Sequence, residues 1–385
     1  MRRAVTAFGK WWRRWSRGDG EDDAAPLVLP ARARILVLQL QQVGDSLVMS
    51  PVLNAVRARY PEAEIDLLTT AVGHEVYKRS PHIHRSYVVP GLAEWHAQRA
   101  TAVRSWWSTV RKLRRVRYDC VLACRNQVSA AYVLAAVASG ASHRVGFDEA
   151  PGGFLFTRRL HVNGRESVVQ TNLRLARAID ADPAAAREEF WFGAQDVGHV
   201  ASLLEREGLT DRRVAVLHVA SNWQSKTWYS ERWAAVADWL AGEGLHAVFV
   251  GRTCDADAVG TVQSLMQAPS TSLAGATDLC QVGALLARAD LFVGTDSGPR
   301  HIAGALGRPQ VTIMSSLDEP WRWVLDRPRE VVLRSDPPCH GCLLSTCGHR
   351  RCMDLISAET VIAACRDVLR RVSGQTTRRT PLTVS

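Results

Sequence analysis

The segment best suited to chemistry is the nine-residue stretch VGTDSGPRH at positions 293–301. The apolar run that ends at Val293 predicts a buried strand, and the small polar residues after it predict a turn into a helix. Ligands of open α/β sheets bind beyond the carboxyl ends of strands, and free N–H groups at a helix start can hold a phosphate. The segment therefore predicts a phosphate site.

Each small or polar side chain of this stretch has a place in that prediction. Two hydroxyl groups would add donors, the glycine would let the backbone approach a ligand closely, and the histidine one turn later could donate to a phosphate oxygen. A capped helix is the alternative, with Asp296 or Ser297 as N-cap, and the two roles are compatible. The residues assigned to the site are Thr295, Asp296, Ser297, Gly298 and His301.

A second polar loop follows the apolar run that ends at His218. Lys226 stands there between Trp223 and Trp228, with the small donors Ser221 and Asn222 nearby. A cation among small donors is suited to a diphosphate. A lone loop lysine is usually only solvated, so this prediction depends on the neighbouring phosphate loop.

A carboxylate, Asp45, lies in the third loop, QQVGDS at positions 41–46, after the apolar run 35–38. It could accept the proton of an attacking hydroxyl as a general base. It could equally be the N-cap of a helix predicted over 47–59. The local sequence leaves both roles open.

Four of the nine cysteines cluster near the C-terminus, in the pattern C-x2-C-x4-C-x4-C. Four thiolates can form a tetrahedral zinc or iron site, and disulfides or free structural thiols are the alternatives. Any such metal would be structural. The four are Cys339, Cys342, Cys347 and Cys352.

Two basic stretches also contain tryptophans. Near the N-terminus, Phe8, Trp11, Trp12 and Trp15 form one helical stripe among arginines, which suits a helix lying on an anionic membrane or packing on the protein itself. The other is the helix predicted over 104–117. Its Trp106, Trp107, Arg111 and Arg114 suit a phosphorylated, lipid-linked sugar, or else form an ordinary solvated face.

Strands and helices alternate along the chain in two series, which predicts a doubly wound α/β fold in two halves. The seam is expected near 185–205. Residues 1–30 are predicted to be a basic extension and acidic linker, 31–190 and 191–369 two doubly wound domains, and 370–385 a flexible tail. The clearest strands are expected at 35–38, 65–68, 120–123, 214–218, 247–250, 291–293 and 311–314.

Taken together, the three loops resemble glycosyltransferase family 9, the lipopolysaccharide heptosyltransferases. The resemblance extends over about residues 33–365 and includes LVLQLQQVGDSLVMSPVLNAVRARYPEAEIDLL, HVASNWQSKTWYSERWAAVADWL and DLFVGTDSGPRHIAGALGRPQVTIM. It implies the GT-B fold, in which two Rossmann-like domains face each other across a cleft. It also implies metal-independent, inverting transfer of a heptose from an ADP-heptose to a lipopolysaccharide core.

The resemblance also assigns residues. Asp45 matches the base, Ser221, Asn222 and Lys226 match the donor-diphosphate loop, and residues 295–298 with His301 match the diphosphate and sugar motif. Asp255 falls where similar enzymes place an acid on the nucleotide ribose. Gln41 and Gln42 stand where relatives often have small hydroxyl residues; with Arg111 and Arg114 they are expected to contact the acceptor.

The length, net charge and hydropathy of the chain are consistent with this interpretation, but they fit other functions as well. The 385-residue chain has a net charge of +10, which favours an acidic partner, and no apolar run long enough to span a membrane. We expect a cytoplasmic enzyme, peripheral on the inner membrane through its N-terminal helix, that needs no cofactor. A transferase acting on a protein or another surface glycan, an inactive family member and a nucleic-acid-binding protein are the rival interpretations; nucleic acid is not the expected partner.

Overall fold

Two parallel six-stranded β-sheets form the framework of the protein. The computed structural model describes residues 25–91, 97–125, 130–162, 165–184, 186–317, 319–323, 327 and 329–374. The strands of the first sheet are β1 (Arg34–Gln39), β2 (Glu64–Thr69), β3 (Arg85–Val88), β4 (Cys120–Ala123), β5 (His143–Phe147) and β6 (Arg158–Leu160). Those of the second are β7 (Arg213–His218), β8 (Leu245–Phe249), β9 (Ser270–Ser272), β10 (Leu291–Thr295), β11 (Gln310–Met314) and β12 (Glu330–Arg334).

Both sheets are wound in the same way. The first has the order β3-β2-β1-β4-β5-β6 and the second β12-β11-β10-β7-β8-β9, and every neighbouring pair is parallel. In each sheet the order reverses between the first and fourth strands of its half. The crevice at such a reversal is where doubly wound folds bind ligands. The predicted α/β fold with two doubly wound halves is confirmed.

The helices connect the strands. They are α1 (Val43–Leu47), α2 (Ser50–Arg59), α3 (Ala71–Tyr77), α4 (Arg99–Val116), α5 (Ala130–Ser139), α6 (Val168–Ala178), α7 (Ala194–Arg206), α8 (Ser230–Gly242), α9 (Ala256–Leu265), α10 (Leu279–Arg288), α11 (Gly298–Ala305), α12 (Arg351–Asp354) and α13 (Ala358–Gly374). Short 3₁₀ turns lie at 153–155, 224–226, 253–255 and 320–322. No helix in the described part of the chain is long and apolar enough to cross a membrane.

Continuous apolar strands place the core of each half on its sheet. Strands β1, β4, β7 and β10 are buried along nearly their whole length, as expected for parallel strands covered on both faces. In the second half, Trp228 and Trp233 pack edge to face with ring centroids 5.1 Å apart. The Trp228 indole also donates to the Ile356 carbonyl at 3.0 Å, which ties the loop after β7 to the residues just before α13.

The contacts divide the chain into two units that are not simple halves. The N-terminal unit contains 25–41, 48–74 and 82–187, and the C-terminal unit contains 42–47, 75–81 and 188–374. Two short segments from the first half of the sequence thus belong with the second sheet. One of them is α1, which carries Asp45.

Three local expectations need correction. The helix predicted over 47–59 is interrupted, because Pro51 occupies the first turn of α2, where proline is tolerated but a preceding helix cannot pass through it. The predicted linker ends before Leu27, whose N–H donates to Ala178 at 2.9 Å. The predicted tail begins later, since the buried stripe that includes Val361 and Val368 carries α13 to Gly374. The aromatic stripe 8–15 lies outside the described residues.

Candidate active site

The candidate site lies at the carboxyl ends of β7 and β10, which are neighbours in the second sheet. Lys226 is in the 3₁₀ turn that follows β7, and Asp296 directly follows β10. This is the point at which the strand order reverses. The two loops predicted separately from the sequence therefore meet there.

Lys226 and Asp296 form the central ion pair. The ammonium Nζ lies 2.8 Å from Oδ2 of the carboxylate and 3.3 Å from the carbonyl oxygen of the same residue. Burial alone would raise the pKa of Asp296, but the charges of Lys226 and Arg300 outweigh it and hold that pKa well below its ordinary value. Asp296 is therefore an anion that orients Lys226.

Behind this pair lies a buried network of charges that the sequence did not predict. Arg300 has no exposed surface, and its guanidinium donates to Oδ1 of Asp296 at 3.2 Å and to Glu330 at 2.9 Å. Arg327 in turn bonds Glu330 at 2.8 Å and also pairs with Glu188. Burying charges is expensive unless they are paired, so the network fixes the Asp296 carboxylate in one place.

Helix α1 brings Asp45 to the same site. Its backbone packs closely on α11: a Cβ added at Gly44 would lie 2.7 Å from Cδ2 of His301, and one added at Gly298 would lie 2.9 Å from Cβ of Val43. Only glycine at these two positions permits the approach.

The environment of Asp45 alters its acidity. Burial raises the pKa to about 6, and the nearby Asp296 charge acts in the same direction, while the Gln42 backbone, Lys226 and Arg322 oppose it. A carboxylate that titrates near neutral pH is a competent proton acceptor. Its location in a short helix shows that it is not the N-cap of a helix over 47–59.

His301 is buried and neutral. Burial and the Arg300 charge lower its pKa to about 3, although Asp296 opposes the shift. Its Nε2 lies 3.9 Å from Oδ1 of Asp296, and its Nδ1 has no hydrogen-bond partner among the described residues. A neutral imidazole still carries one N–H donor, so the predicted contact with a phosphate oxygen requires no charge on the ring.

The two hydroxyl groups of the loop are engaged within the protein. Thr295 is fully buried and donates to the Ala220 carbonyl at 3.2 Å. Oγ of Ser297 lies 2.9 Å from Nδ1 of His218 and 3.1 Å from the Thr295 carbonyl. Burial lowers the pKa of His218 to about 4, so this ring is neutral as well. Besides the His301 N–H, donors for a ligand at this loop can come from the backbone at the start of α11, where Pro299 alone has no N–H.

The other donor-site predictions lie around the same sheet edge. Oγ of Ser221 accepts from the Trp223 N–H at 3.3 Å, and Asn222 is exposed in the loop. Asp255 lies in the loop after β8. Its carboxylate accepts two hydrogen bonds from Arg252, one from the backbone N–H at 2.8 Å and one from the guanidinium at 3.0 Å. Burial would raise the pKa of Asp255, but these hydrogen bonds lower it, so it is an anion already paired within the protein.

The predicted acceptor residues divide between the two units. Gln41 belongs to the N-terminal unit, where its carbonyl lies 3.5 Å from the Thr70 hydroxyl, and the exposed Gln42 begins the segment that belongs to the C-terminal unit. Arg111 is exposed on α4, and Nε of Arg114 donates to the Ala138 carbonyl at 3.1 Å. Arg114 therefore also ties α4 to α5.

The cysteine cluster does not support the structural metal site that its spacing left open. All nine cysteines are free thiols. Among the described residues, which include the whole segment 339–352, no three His, Cys, Asp or Glu side chains lie close enough together to hold a metal ion. The four thiols instead line a narrow cavity beside Ser225.

Two like-wound parallel sheets, with a small polar loop at the strand-order reversal of the second, define the GT-B fold class. Residues 106–350 match Glycosyltransferase family 9 (heptosyltransferase), which is more than half of the chain, so the protein belongs to this family and is a glycosyltransferase.

Named relatives agree with this assignment. The chain is 24% identical to lipopolysaccharide heptosyltransferase 3 of Escherichia coli over 72% of its own length and 83% of the relative's. A family 9 glycosyltransferase structure from Veillonella parvula is similar with a TM-score of 0.74 and 20% identity, covering 88% of this chain and 97% of that one. The E. coli ADP-heptose lipopolysaccharide heptosyltransferase II has a TM-score of 0.70 and 21% identity, covering 88% and 99%. The structural similarities concern the fold.

Proposed function

We propose that this enzyme transfers a heptose from ADP-heptose to a hydroxyl group of a lipopolysaccharide core acceptor. The names of the relatives support the sugar and the acceptor class, and one structural relative is named for an ADP-heptose donor. The observation that carries the proposal is the placement of Asp45, with its raised pKa, against the Lys226–Asp296 pair. A base and an anion-binding cation thus share one site.

In the proposed reaction, Asp45 removes the proton of the acceptor hydroxyl as that oxygen attacks the anomeric carbon. The bond from this carbon to the diphosphate oxygen breaks, and ADP leaves with the electron pair. A single displacement of this kind inverts the anomeric centre. Asp45 keeps the proton until solvent removes it.

Lys226 and the start of α11 would stabilise the departing diphosphate. A lysine ammonium has three donors, and two of those of Lys226 are directed at Asp296, which leaves one for a phosphate oxygen. The first N–H groups of α11 and its dipole add further stabilisation where negative charge develops. In this proposal these protein groups carry out the task without a divalent cation.

Helix α4 would contact the acceptor and the membrane. Its side chains Trp107, Arg104, Arg111, Lys112 and Arg115 are exposed, while its buried positions include Ala102 and Leu113. An exposed tryptophan among cations suits the interface of an anionic membrane and the phosphates of a lipid-linked glycan. We therefore propose a peripheral enzyme at the cytoplasmic face of the inner membrane.

The experiment is transfer by the purified protein, with ADP-heptose and heptose-deficient core acceptors, alongside Asp45→Ala and Lys226→Ala. We expect Asp45→Ala to abolish transfer while donor binding survives, and Lys226→Ala to weaken donor binding. Binding of no nucleotide-sugar would refute the donor site. Transfer to a protein or another glycan, but not to the core, would replace the acceptor and leave the reaction class intact.

A further inference from the structure

The segment 339–352, here called the Cys-rich segment, makes contacts that the reaction proposed above does not use. Its two ends are attached to loops of the second sheet. On one side, the N–H of Gly341 donates to the Ser316 carbonyl at 2.7 Å, and that of Leu343 donates to Leu317 at 3.0 Å. Ser316 and Leu317 follow β11, so the segment begins beside the carboxyl end of that strand.

The other side of the segment holds the turn that carries Lys226. The Ser225 N–H donates to the Ser345 carbonyl at 3.1 Å, and the Cys347 N–H donates to Oε1 of Gln224 at 3.0 Å. Gln224 and Ser225 are the two residues directly before Lys226 in the 3₁₀ turn. Both leading residues of the turn are thus tied to the segment, Ser225 through its backbone and Gln224 through its side chain.

Arg350 fastens the residue on the far side of Lys226. Its guanidinium donates to the carbonyl oxygen of Thr227 at 3.2 Å and to the hydroxyl of the same residue at 3.0 Å, and it lies 4.8 Å from the ring centre of Tyr229. The backbone of Arg350 is left-handed, with φ of 38°, a conformation that a non-glycine residue adopts at an energetic cost. The contacts with Thr227 and Tyr229 offset that cost.

The sheet order shows what these attachments span. Strand β10 lies between β11 and β7 in the second sheet. A segment attached to the loop after β11 and to the turn after β7 therefore bridges over the end of β10, where Asp296 meets Lys226.

We propose that the Cys-rich segment is a clamp on the Lys226 turn, and that Gln224 and Arg350 are positioning residues which set the affinity for the donor diphosphate through Lys226. This rests on the proposed role of Lys226 in donor binding. The contacts are made by backbone groups and by these two side chains, so the clamp requires no bond between the thiols. The clamp also accounts for the presence of the segment beside the site without any part in the chemical step.

The test measures the dissociation constant of ADP by calorimetry for the full-length enzyme and four variants. Gln224→Met removes the oxygen that accepts from Cys347 while keeping the side-chain length and adding no charge. Gln263→Met makes the same change in α9, where Gln263 bonds Ser270 at 3.1 Å, and serves as the matched control. Lys226→Ala and the double variant Gln224→Met/Lys226→Ala complete the cycle.

We expect Gln224→Met to raise the dissociation constant about fivefold, the size of one lost hydrogen bond, and Gln263→Met to leave it unchanged. In the Lys226→Ala background, Gln224→Met should have no further effect, because its action passes through Lys226. A merely structural role would lower affinity equally in both backgrounds.

Arg350 offers a second, independent pair of variants. Both Arg350→Gln and Arg350→Met remove the charge, but only Arg350→Gln retains an N–H donor. Arg350→Met should therefore raise the dissociation constant of ADP more than Arg350→Gln does. If Lys226→Ala weakens binding while Gln224→Met has no effect or an additive one, the clamp is wrong and the donor site stands. If Lys226→Ala leaves ADP binding unchanged, the donor role of Lys226 itself is wrong, and the clamp falls with it.

Discussion

Gly44 and His301 are in contact across two helices, with the imidazole lying where a side chain at position 44 would have to go. This contact brings α1, and with it Asp45, onto the start of α11. The position of the proposed base therefore depends on the absence of one methyl group.

Gly44→Ala should destabilise the protein by about 1–3 kcal/mol, the usual effect of overpacking, and should lower kcat by moving Asp45. Helix propensity alone predicts the opposite sign of the stability change, because alanine is more favourable than glycine inside a helix by about 1 kcal/mol. Gly198→Ala in α7, where a Cβ meets nothing within 4 Å, is the control and should be neutral or stabilising. Urea unfolding of both variants measures the difference; equal stability gains would contradict the close contact.

The rate should depend on the protonation of Asp45. Since its pKa is about 6 and the base must be ionised, kcat/KM should fall below pH 6 by about tenfold per pH unit. Lys226 and Arg322 both lower this pKa, so Arg322→Ala should move the acid limb to higher pH. A limb that stays in place, measured on the pH profile of each enzyme, would show that another group titrates.

Asp45→Asn should change the pH dependence of stability with a definite sign. The pKa of Asp45 is about 6 in the folded protein and 3.8 as the ordinary value, so its contribution is complete below pH 4 and is lost as the pH rises through 6. The side chain at position 45 does not titrate in the Asp45→Asn variant, so the variant does not lose stability in this way as the pH rises. The Tm of Asp45→Asn relative to the unmodified protein should therefore be more favourable at pH 8 than at pH 4, and an unchanged difference would rule out a raised pKa.

Arg300→Met should be strongly destabilising, by about 3–5 kcal/mol, because it leaves buried Glu330 and Asp296 without their shared partner. Arg32→Ala removes an ion pair of similar length, 2.8 Å to Glu62, but these side chains are 85% and 58% exposed. An exposed pair contributes about 1 kcal/mol or less. Denaturant midpoints of the two variants test the comparison, and similar losses would argue against a buried network.

Trp107→Ser should weaken binding to vesicles that contain anionic lipids, and Arg111→Ser should weaken it about fivefold, the effect of one cation near such a surface. Phe154→Ser is the control, because Phe154 and Trp107 are both 62% exposed and the short turn of Phe154, with the sequence GFL, contains no basic residue. Vesicle flotation at low and high salt gives the readout. Equal losses for the two aromatic residues would show that α4 is not the contact surface.

Features that depend on residues close together along the chain could be predicted from the sequence. Apolar runs such as 120–123 and 311–314 become buried strands because a parallel sheet covers both faces, and the polar loops after them follow directly. Strands at sheet edges were not predicted. β9, with the sequence STS, is short and polar, and only its pairing with β8 makes it a strand.

The loops of the candidate site could be predicted from the sequence, but the buried charges behind them could not. The loops of Lys226 and Asp296 could be found because each follows a predicted strand. The role of Arg300 could not, because an arginine four positions after an aspartate has the spacing of an ordinary surface pair. Burial of that charge is decided by Glu330, thirty residues further along the chain, and no local pattern indicates it.

The division of the chain into units has a consequence for how the enzyme is made. Residues 42–47 and 75–81 leave the ribosome early, yet they pack with residues that follow position 187. Chains fold from the N-terminus during synthesis, so the segment with Asp45 must wait until Lys226, Asp296 and Arg322 have emerged. A nascent first half therefore contains an ordinary, solvated aspartate and two uncovered segments with Leu47 and Tyr77. The proposed base acquires its function only when nearly the whole chain has been translated.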